Sequence, residues 1–111
     1  MTAGADEDGW LPKELAAEYR QSLIATVAQI RALLSSLTPG PEAADHLREA
    51  YRVLHSIRGA AKTFGLPAAG DTARAAQDLL ESHCASGTLP ADGDRNRLDG
   101  LLDRLEREAR G

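Results

Sequence analysis

Apolar residues recur every three or four positions along this chain, and this spacing constrains the fold more than any other feature of the sequence. The first run comprises Leu15, Tyr19, Leu23, Val27, Ile30, Leu34 and Leu37. Such spacing places the apolar side chains on one face of an α-helix. We therefore predict a long amphipathic helix that starts with Pro12 in its first turn and ends at the sequence TPGP, residues 38–41.

Three further segments show the same periodicity. A second helix is predicted from about Glu42 to Phe64, with the apolar residues Leu47, Ala50, Leu54, Ile57, Ala61 and Phe64. Gly65 suits its C-terminal cap, and Pro67 suits the first turn of a third helix that runs to about Ser86. Inward positions of the third helix are Ala69, Ala73, Ala76, Leu79 and Leu80. A turn-rich loop, residues 86–94, precedes a fourth helix from roughly Arg95 to Ala109, with Leu98, Leu101, Leu102 and Leu105 on its apolar face.

Four amphipathic helices joined by short connections predict an all-α fold, an antiparallel up-down-up-down four-helix bundle, with room for a short extra turn at the N-terminus. Aromatic residues make up only 4% of the 111 residues, so the core must be built from Ala, Leu, Ile and Val. The small and acidic residues 1–9 are expected to form a flexible N-terminus, and residues 10–111 a single domain.

Charge and composition exclude several classes of function. A formal charge of −4 argues against a nucleic-acid-binding protein, which would be basic. The one cysteine, Cys84, cannot form an internal disulfide and fits a reducing compartment. We find neither an apolar run long enough to span a membrane nor a signal peptide. We therefore expect a cytoplasmic, monomeric domain that does not act at a membrane and needs no cofactor.

The sequence HSIRGAAKTFG, residues 55–65, lies inside the second predicted helix and carries its most unusual residues. At about 100° per residue, the apolar stripe of this helix centres about 220° from His55. The histidine therefore points away from the core. Gly59 lies on the same side, although a glycine inside a helix costs about 1 kcal/mol relative to alanine.

Basic charge is concentrated on this side of the second helix. Residues 41–64 contain four cations and three acids, a sum of +1, so the rest of the chain carries −5. The cations are Arg48, Arg52, Arg58 and Lys62, and Tyr51 shares their side. Histidine is among the side chains that can form a covalent intermediate. If His55 carries a phosphoryl group on Nε2, Arg58 and Lys62 are placed to stabilise its oxygens, and Gly59 leaves clearance for a partner.

The third helix supplies a candidate partner for the imidazole. His55 and Gln77 are each eleven positions from Leu66, at the centre of the turn, so an antiparallel pair of helices brings them to similar height. We expect the side-chain oxygen of Gln77 to accept a hydrogen bond from Nδ1–H of His55 and so to orient the ring. Arg74, one turn earlier on that helix, adds another cation, and a docking role is open for it as for Arg48, Tyr51 and Arg52.

These residues resemble the signature of histidine-containing phosphotransfer (HPt) domains, in which a lysine, a glycine and a second glycine follow the histidine at the third, fourth and tenth positions. Residues 55–82 look most similar, without gaps, to the N-terminal phosphotransfer domain of chemotaxis-type histidine kinases. The resemblance implies a helical bundle whose histidine, here His55, receives a phosphoryl group and exchanges it with an aspartate of a response-regulator receiver domain. A sensor histidine kinase is the other implied partner, and no ATP-dependent catalytic site is implied.

Two positions depart from the chemotaxis-type pattern. Arg58 stands where the lysine is usual, and it keeps the charge with a different donor geometry. Gln77 stands where those domains have a glutamate, and it lacks the negative charge that would raise the basicity of the histidine. A docking module that binds a receiver or kinase without being phosphorylated is therefore the alternative hypothesis.

Catalytic and metal-binding roles are not expected for the other histidines. His83 and Cys84 are adjacent on a helix and point in different directions, and no further ligands are spaced to join them. His46 has no chemical partner in the pattern. We also find no second nucleophile–base pair and no phosphate-binding loop that would indicate an enzyme with its own active site.

Overall fold

The computed structural model describes residues 12–111, and within this range the chain forms four α-helices and no β-strand. They are α1 (Lys13–Ser35), α2 (Pro41–Thr63), α3 (Pro67–Ser86) and α4 (Asp92–Arg110). The predicted flexible segment 1–9 and the extra N-terminal turn lie outside the described residues.

The helices pack in ring order. α1 contacts α2 and α4, and α3 also contacts both α2 and α4, so each helix has two neighbours. Because the connections are short, consecutive helices run in opposite directions. The predicted up-down-up-down four-helix bundle is confirmed.

The turn between α2 and α3 has the hydrogen bonds of a Schellman motif. Gly65 has a φ of +79°, the left-handed region that favours glycine. Leu66 N–H donates to the Ala61 carbonyl at 2.7 Å, and Gly65 N–H donates to the Lys62 carbonyl at 3.2 Å. Pro67 is then the first residue of α3. This turn fixes the relative height of α2 and α3, as the sequence predicted.

The fourth helix begins earlier than predicted. It starts at Asp92 rather than near Arg95, and Arg95 N–H donates to the Ala91 carbonyl at 2.8 Å. Asp92 and Asp94 lie in the first turn, where a carboxylate interacts favourably with the positive end of the helix dipole. Turn-forming composition therefore placed this boundary three residues too late.

The core is made of aliphatic side chains from all four helices. The largest fully buried ones are Leu23, Val27, Ile30, Leu34, Leu47, Leu54, Leu80, Leu98, Leu102 and Leu105. The periodic pattern identified each of these residues. The pattern also assigned Leu15 to the apolar face of α1, and this assignment is wrong, since Leu15 is 45% exposed.

Small residues bring α2 and α3 together, and this pair makes the most extensive contact in the bundle. Ala61, Ala69 and Ala73 are fully buried. A Cβ atom on Gly70 would lie 3.0 Å from the backbone oxygen of Arg58 and 3.2 Å from Cγ of Lys62. Gly70 therefore permits a close approach of the two backbones, one turn of α2 beyond His55.

Candidate functional site

His55 lies on the outer face of α2 and is exposed. Its neighbours in sequence on the other side of the helix, Leu54 and Ile57, are buried in the core. The histidine is therefore not a core residue, as its angular position predicted.

The Nδ1 atom of the ring is in contact with α3. Gln77 Nε2 lies 3.0 Å from His55 Nδ1, so the two residues meet across the helix pair at the height that the sequence predicted. The side chain of Gln77 is itself buried, with 2% exposure. A buried amide needs protein partners for its polar atoms, and His55 supplies one of them.

Arg58 supplies the second partner of Gln77. Its Nη1 donates to Gln77 Oε1 at 3.0 Å. A guanidinium group has donors only, so the amide atom that faces it is the oxygen, and the amide nitrogen faces His55. The expectation that the Gln77 oxygen accepts from Nδ1–H is therefore wrong at the level of atoms, because the amide nitrogen, and not the oxygen, faces Nδ1.

A surface depression of about 300 Å³ is lined by His55, Arg58, Gly59 and Lys62. The structure thus brings together the four residues that the HSIRGAAK spacing singled out. A Cβ atom on Gly59 would meet nothing within 4 Å, so packing inside the chain does not require glycine there. Lys62 is exposed, and its Nζ lies 3.8 Å from Asp71 Oδ1 on α3.

The residues considered for docking fall into two places. Arg48, Tyr51 and Arg52 line a second depression of about 330 Å³ together with Cys84 of α3, and Arg74 is exposed on α3. Arg48 and Arg52 each form an ion pair at 2.5 Å with an acid one turn earlier, Asp45 and Glu49 respectively. Their charges are thus partly balanced within α2. Burial raises the pKa of the Cys84 thiol, and the charge of Arg48 partly offsets this effect.

The other two histidines, His83 and His46, contact polar side chains near the ends of helices. His83 Nε2 lies 3.0 Å from Asp94 Oδ2 and its Nδ1 lies 3.4 Å from Thr88 Oγ1, so it links the end of α3 to the start of α4. His46 Nδ1 lies 3.5 Å from Ser36 Oγ, between the end of α1 and α2. Residues 12–111 contain no group of three potential metal ligands.

Gly70 is the site residue that sequence reasoning missed. It lets α3 approach α2 next to Arg58, and so it supports the contact of Gln77 with both Arg58 and His55. An isolated glycine in the small-residue sequence PAAGDTARAA, residues 67–76, is the signal that could have identified a close backbone approach.

The family comparison agrees with the all-helical fold. The sequence model of the Hpt domain family matches residues 14–108, which is nearly the whole chain. No curated protein and no solved structure matches the chain. None of the helices in the described part of the chain is long and apolar enough to cross a membrane. The match agrees with the all-helical four-helix bundle, and the chain belongs to the Hpt domain family, whose members carry phosphoryl groups in phosphorelays.

Proposed function

We propose that His55 accepts a phosphoryl group on Nε2 and exchanges it with an aspartate of a response-regulator receiver domain. The observation that carries the proposal is the setting of the ring: Nδ1 contacts the buried Gln77, and the exposed histidine lines a depression together with Arg58, Gly59 and Lys62. In the forward step the lone pair of Nε2 forms the N–P bond. The P–O bond of the aspartyl phosphate breaks, and its electron pair leaves on the carboxylate.

The cations of the depression are the proposed stabilisers of the transferred group. Lys62 is exposed, and its contact with Asp71 at 3.8 Å is long, so its ammonium can turn toward a phosphoryl oxygen. The guanidinium of Arg58 has five N–H donors for phosphoryl oxygens, and one of its nitrogens donates to Gln77 when no phosphoryl group is bound. Electrostatic stabilisation of the phosphoryl oxygens is the main task of a protein in phosphoryl transfer, since there is little other covalent chemistry to perform.

A receiver domain or a kinase would approach over the exposed face of α2. Gly59 presents no side chain beside the imidazole, which leaves clearance for the partner's active site. Arg48, Tyr51 and Arg52 are the proposed contact residues on that helix, and Arg74 on α3. Cations at the rim of such an interface steer an acidic partner more than they hold it. The gapless similarity of residues 55–82 leads us to propose the chemotaxis-type phosphotransfer domains as the relevant subgroup.

The alternative is a docking module that binds a receiver or kinase without being phosphorylated. The uncharged amide of Gln77 favours it, because an amide does not raise the basicity of the imidazole as a carboxylate would. In that case a receiver would bind equally well after His55→Ala, and the protein would never carry phosphate.

The test is transfer of radiolabelled phosphate from a phosphorylated receiver domain, or from a histidine kinase with ATP. We expect acid-labile phosphate on the wild-type protein and none on His55→Gln, because glutamine lacks a nucleophilic ring nitrogen. His46→Gln is the matched control and should be labelled like the wild type. Label that persists in His55→Gln, or no label from any donor, contradicts the proposal.

A further inference from the structure

The hydrogen bonds around His55 run in one direction, from Arg58 through Gln77 to the imidazole. Arg58 Nη1 donates to Gln77 Oε1, and Gln77 Nε2 lies against His55 Nδ1, both at 3.0 Å. An amide nitrogen donates and does not accept. His55 Nδ1 must therefore be the acceptor, and the single proton of a neutral ring must be on Nε2.

This tautomer is the wrong one for nucleophilic attack by Nε2. A protonated Nε2 has no free in-plane lone pair to attack phosphorus. Attack needs the tautomer with the proton on Nδ1, and that proton then needs an oxygen to receive its hydrogen bond. Gln77 can offer its oxygen only if its amide turns around, and this turn breaks the contact with Arg58.

The amide of Gln77 cannot turn without cost. Gln77 is buried, with 2% exposure, so water does not replace a lost partner. A hydrogen bond from a charged donor contributes about 1.5–3 kcal/mol, more than a neutral one. Reversing the amide in the presence of Arg58 would also direct two donors at each other. The orientation of Gln77, and through it the tautomer of His55, therefore depends on Arg58.

We propose that Arg58 is a positioning residue that holds resting His55 in the Nε2–H tautomer through Gln77, and that phosphorylation requires Arg58 to leave Gln77. This inference rests on the proposed phosphoryl transfer at His55. Arg58 lines the same depression as the histidine, and a guanidinium binds phosphoryl oxygens more strongly than a neutral amide oxygen. The incoming phosphoryl group thus draws Arg58 away, and Gln77 turns its oxygen toward the ring. The tautomer then changes by exchange with solvent, in which one proton binds to Nδ1 and the proton on Nε2 is released.

The resting orientation of the Gln77 amide is also compatible with phosphorylated His55. Once Nε2 carries the phosphoryl group, the Nδ1 proton passes to solvent and Nδ1 has a lone pair again. Gln77 can then turn back and donate to Nδ1, as it does in the resting protein. The amide thus alternates between two orientations, and Arg58 favours the one that does not accept phosphate.

The tautomer is measured directly from the imidazole ¹⁵N shifts in long-range ¹H–¹⁵N spectra, at a pH where the ring is neutral and with no phosphodonor present. We expect an excess of Nε2–H of about tenfold or more in the wild type. Arg58→Met should reduce this excess by about tenfold, the equivalent of one hydrogen bond from a charged donor. Gln77→Glu should reverse the preference to Nδ1–H, because both carboxylate oxygens accept, and it should accept phosphate about tenfold faster than the wild type.

Lys62→Met is the matched control, since Lys62 lines the same depression but contacts Asp71 and not Gln77. It should leave the tautomer ratio unchanged. A wild-type ring in the Nδ1–H form, or an unchanged ratio in Arg58→Met, overturns the proposal. If Arg58→Met does not fold, Gln77→Glu decides, and persistence of Nε2–H in that variant contradicts it.

The two proposals fail separately. If His55 shows the expected tautomers but never carries phosphate, the phosphotransfer function is wrong and the role of Arg58 in orienting Gln77 stands. If phosphate is transferred while substitutions at Arg58 and Gln77 leave the tautomer ratio of His55 unchanged, the phosphotransfer function stands and the positioning role of Arg58 is wrong.

Discussion

At the scale of single residues, the two helical glycines near His55 have different physical reasons. Gly59 is exposed on α2, and an added Cβ would meet nothing within 4 Å. Gly70 is buried on α3, and an added Cβ would lie 3.0 Å from the Arg58 backbone oxygen. Packing within residues 12–111 therefore does not require glycine at position 59, whereas it does require glycine at position 70. Both stand in a helix interior, where propensity alone disfavours glycine.

Gly59→Ala should therefore stabilise the protein and impair its proposed function. We expect the free energy of unfolding to rise by about 1 kcal/mol, from helix propensity. Phosphate transfer should slow by about tenfold or more, because a displacement of about 1 Å between reacting groups can cost about a hundredfold. Urea unfolding and transfer kinetics measure the two effects.

Gly100→Ala is the matched control for this variant. Gly100 is also an exposed glycine inside a helix, α4, with nothing within 4 Å of an added Cβ. It should give the same stabilisation and leave transfer unchanged. Wild-type transfer rates in Gly59→Ala would contradict the clearance role of Gly59.

At the scale of secondary-structure elements, the contact between α2 and α3 decides the geometry of the site. The Schellman turn at Gly65 fixes their relative height, and Gly70 fixes how closely they approach. Arg58 and His55 lie on one helix and Gln77 on the other, so their hydrogen bonds at 3.0 Å depend on both parameters. A change in the separation of α2 and α3 would therefore change the hydrogen bonds of Gln77 to both His55 and Arg58.

Gly70→Ala should destabilise the bundle, unlike the two alanine substitutions above. The backbone oxygen of Arg58 cannot move aside, so the added methyl group forces α2 and α3 apart. Such overpacking costs about 1–3 kcal/mol, against about 1 kcal/mol gained from helix propensity. We expect a net loss of about 1 kcal/mol in urea unfolding, with altered imidazole shifts of His55. A gain in stability equal to that of Gly100→Ala would show that the approach is not tight.

At the scale of the whole molecule, aliphatic packing from all four helices holds the bundle and charged groups connect its first and last helices. Arg31 of α1 binds Asp103 at 2.7 Å and Glu106 at 3.4 Å, both on α4. Arg110 also donates to Glu106, at 2.8 Å. The hydrogen bond from Arg110, with a smaller contribution from Arg31, lowers the pKa of the Glu106 carboxyl. Protonation of Glu106 therefore weakens its ion pairs with Arg110 within α4 and with Arg31 of α1.

Acid should weaken the bundle through Glu106. Its pKa is lower in the folded than in the unfolded chain, so its contribution to stability is present above the usual pKa of a glutamate side chain and is lost as the pH falls through the lower pKa of the folded state. We expect Glu106→Gln to lower the free energy of unfolding at pH 7 and to lose less stability than the wild type on acidification. Urea unfolding at a series of pH values measures both.

Glu18→Gln is the control for this pH series. Glu18 is exposed on α1 and forms no ion pair with any residue in the range 12–111. It should follow the wild-type curve. Parallel pH curves for Glu106→Gln and the wild type would contradict the role of this carboxylate.

The sequence by itself determined the fold, the core and the face that carries His55, because periodicity and turn residues are local properties of the chain. Symmetry about the turn at Leu66 also placed Gln77 beside His55. Only the tertiary structure decided which atom of Gln77 meets the ring, since this depends on Arg58 reaching the same amide across the helix pair. It likewise decided that Gly70 and not Gly59 is a packing residue. Both findings depend on distances between α2 and α3, and the residue pattern along a single helix does not determine those distances.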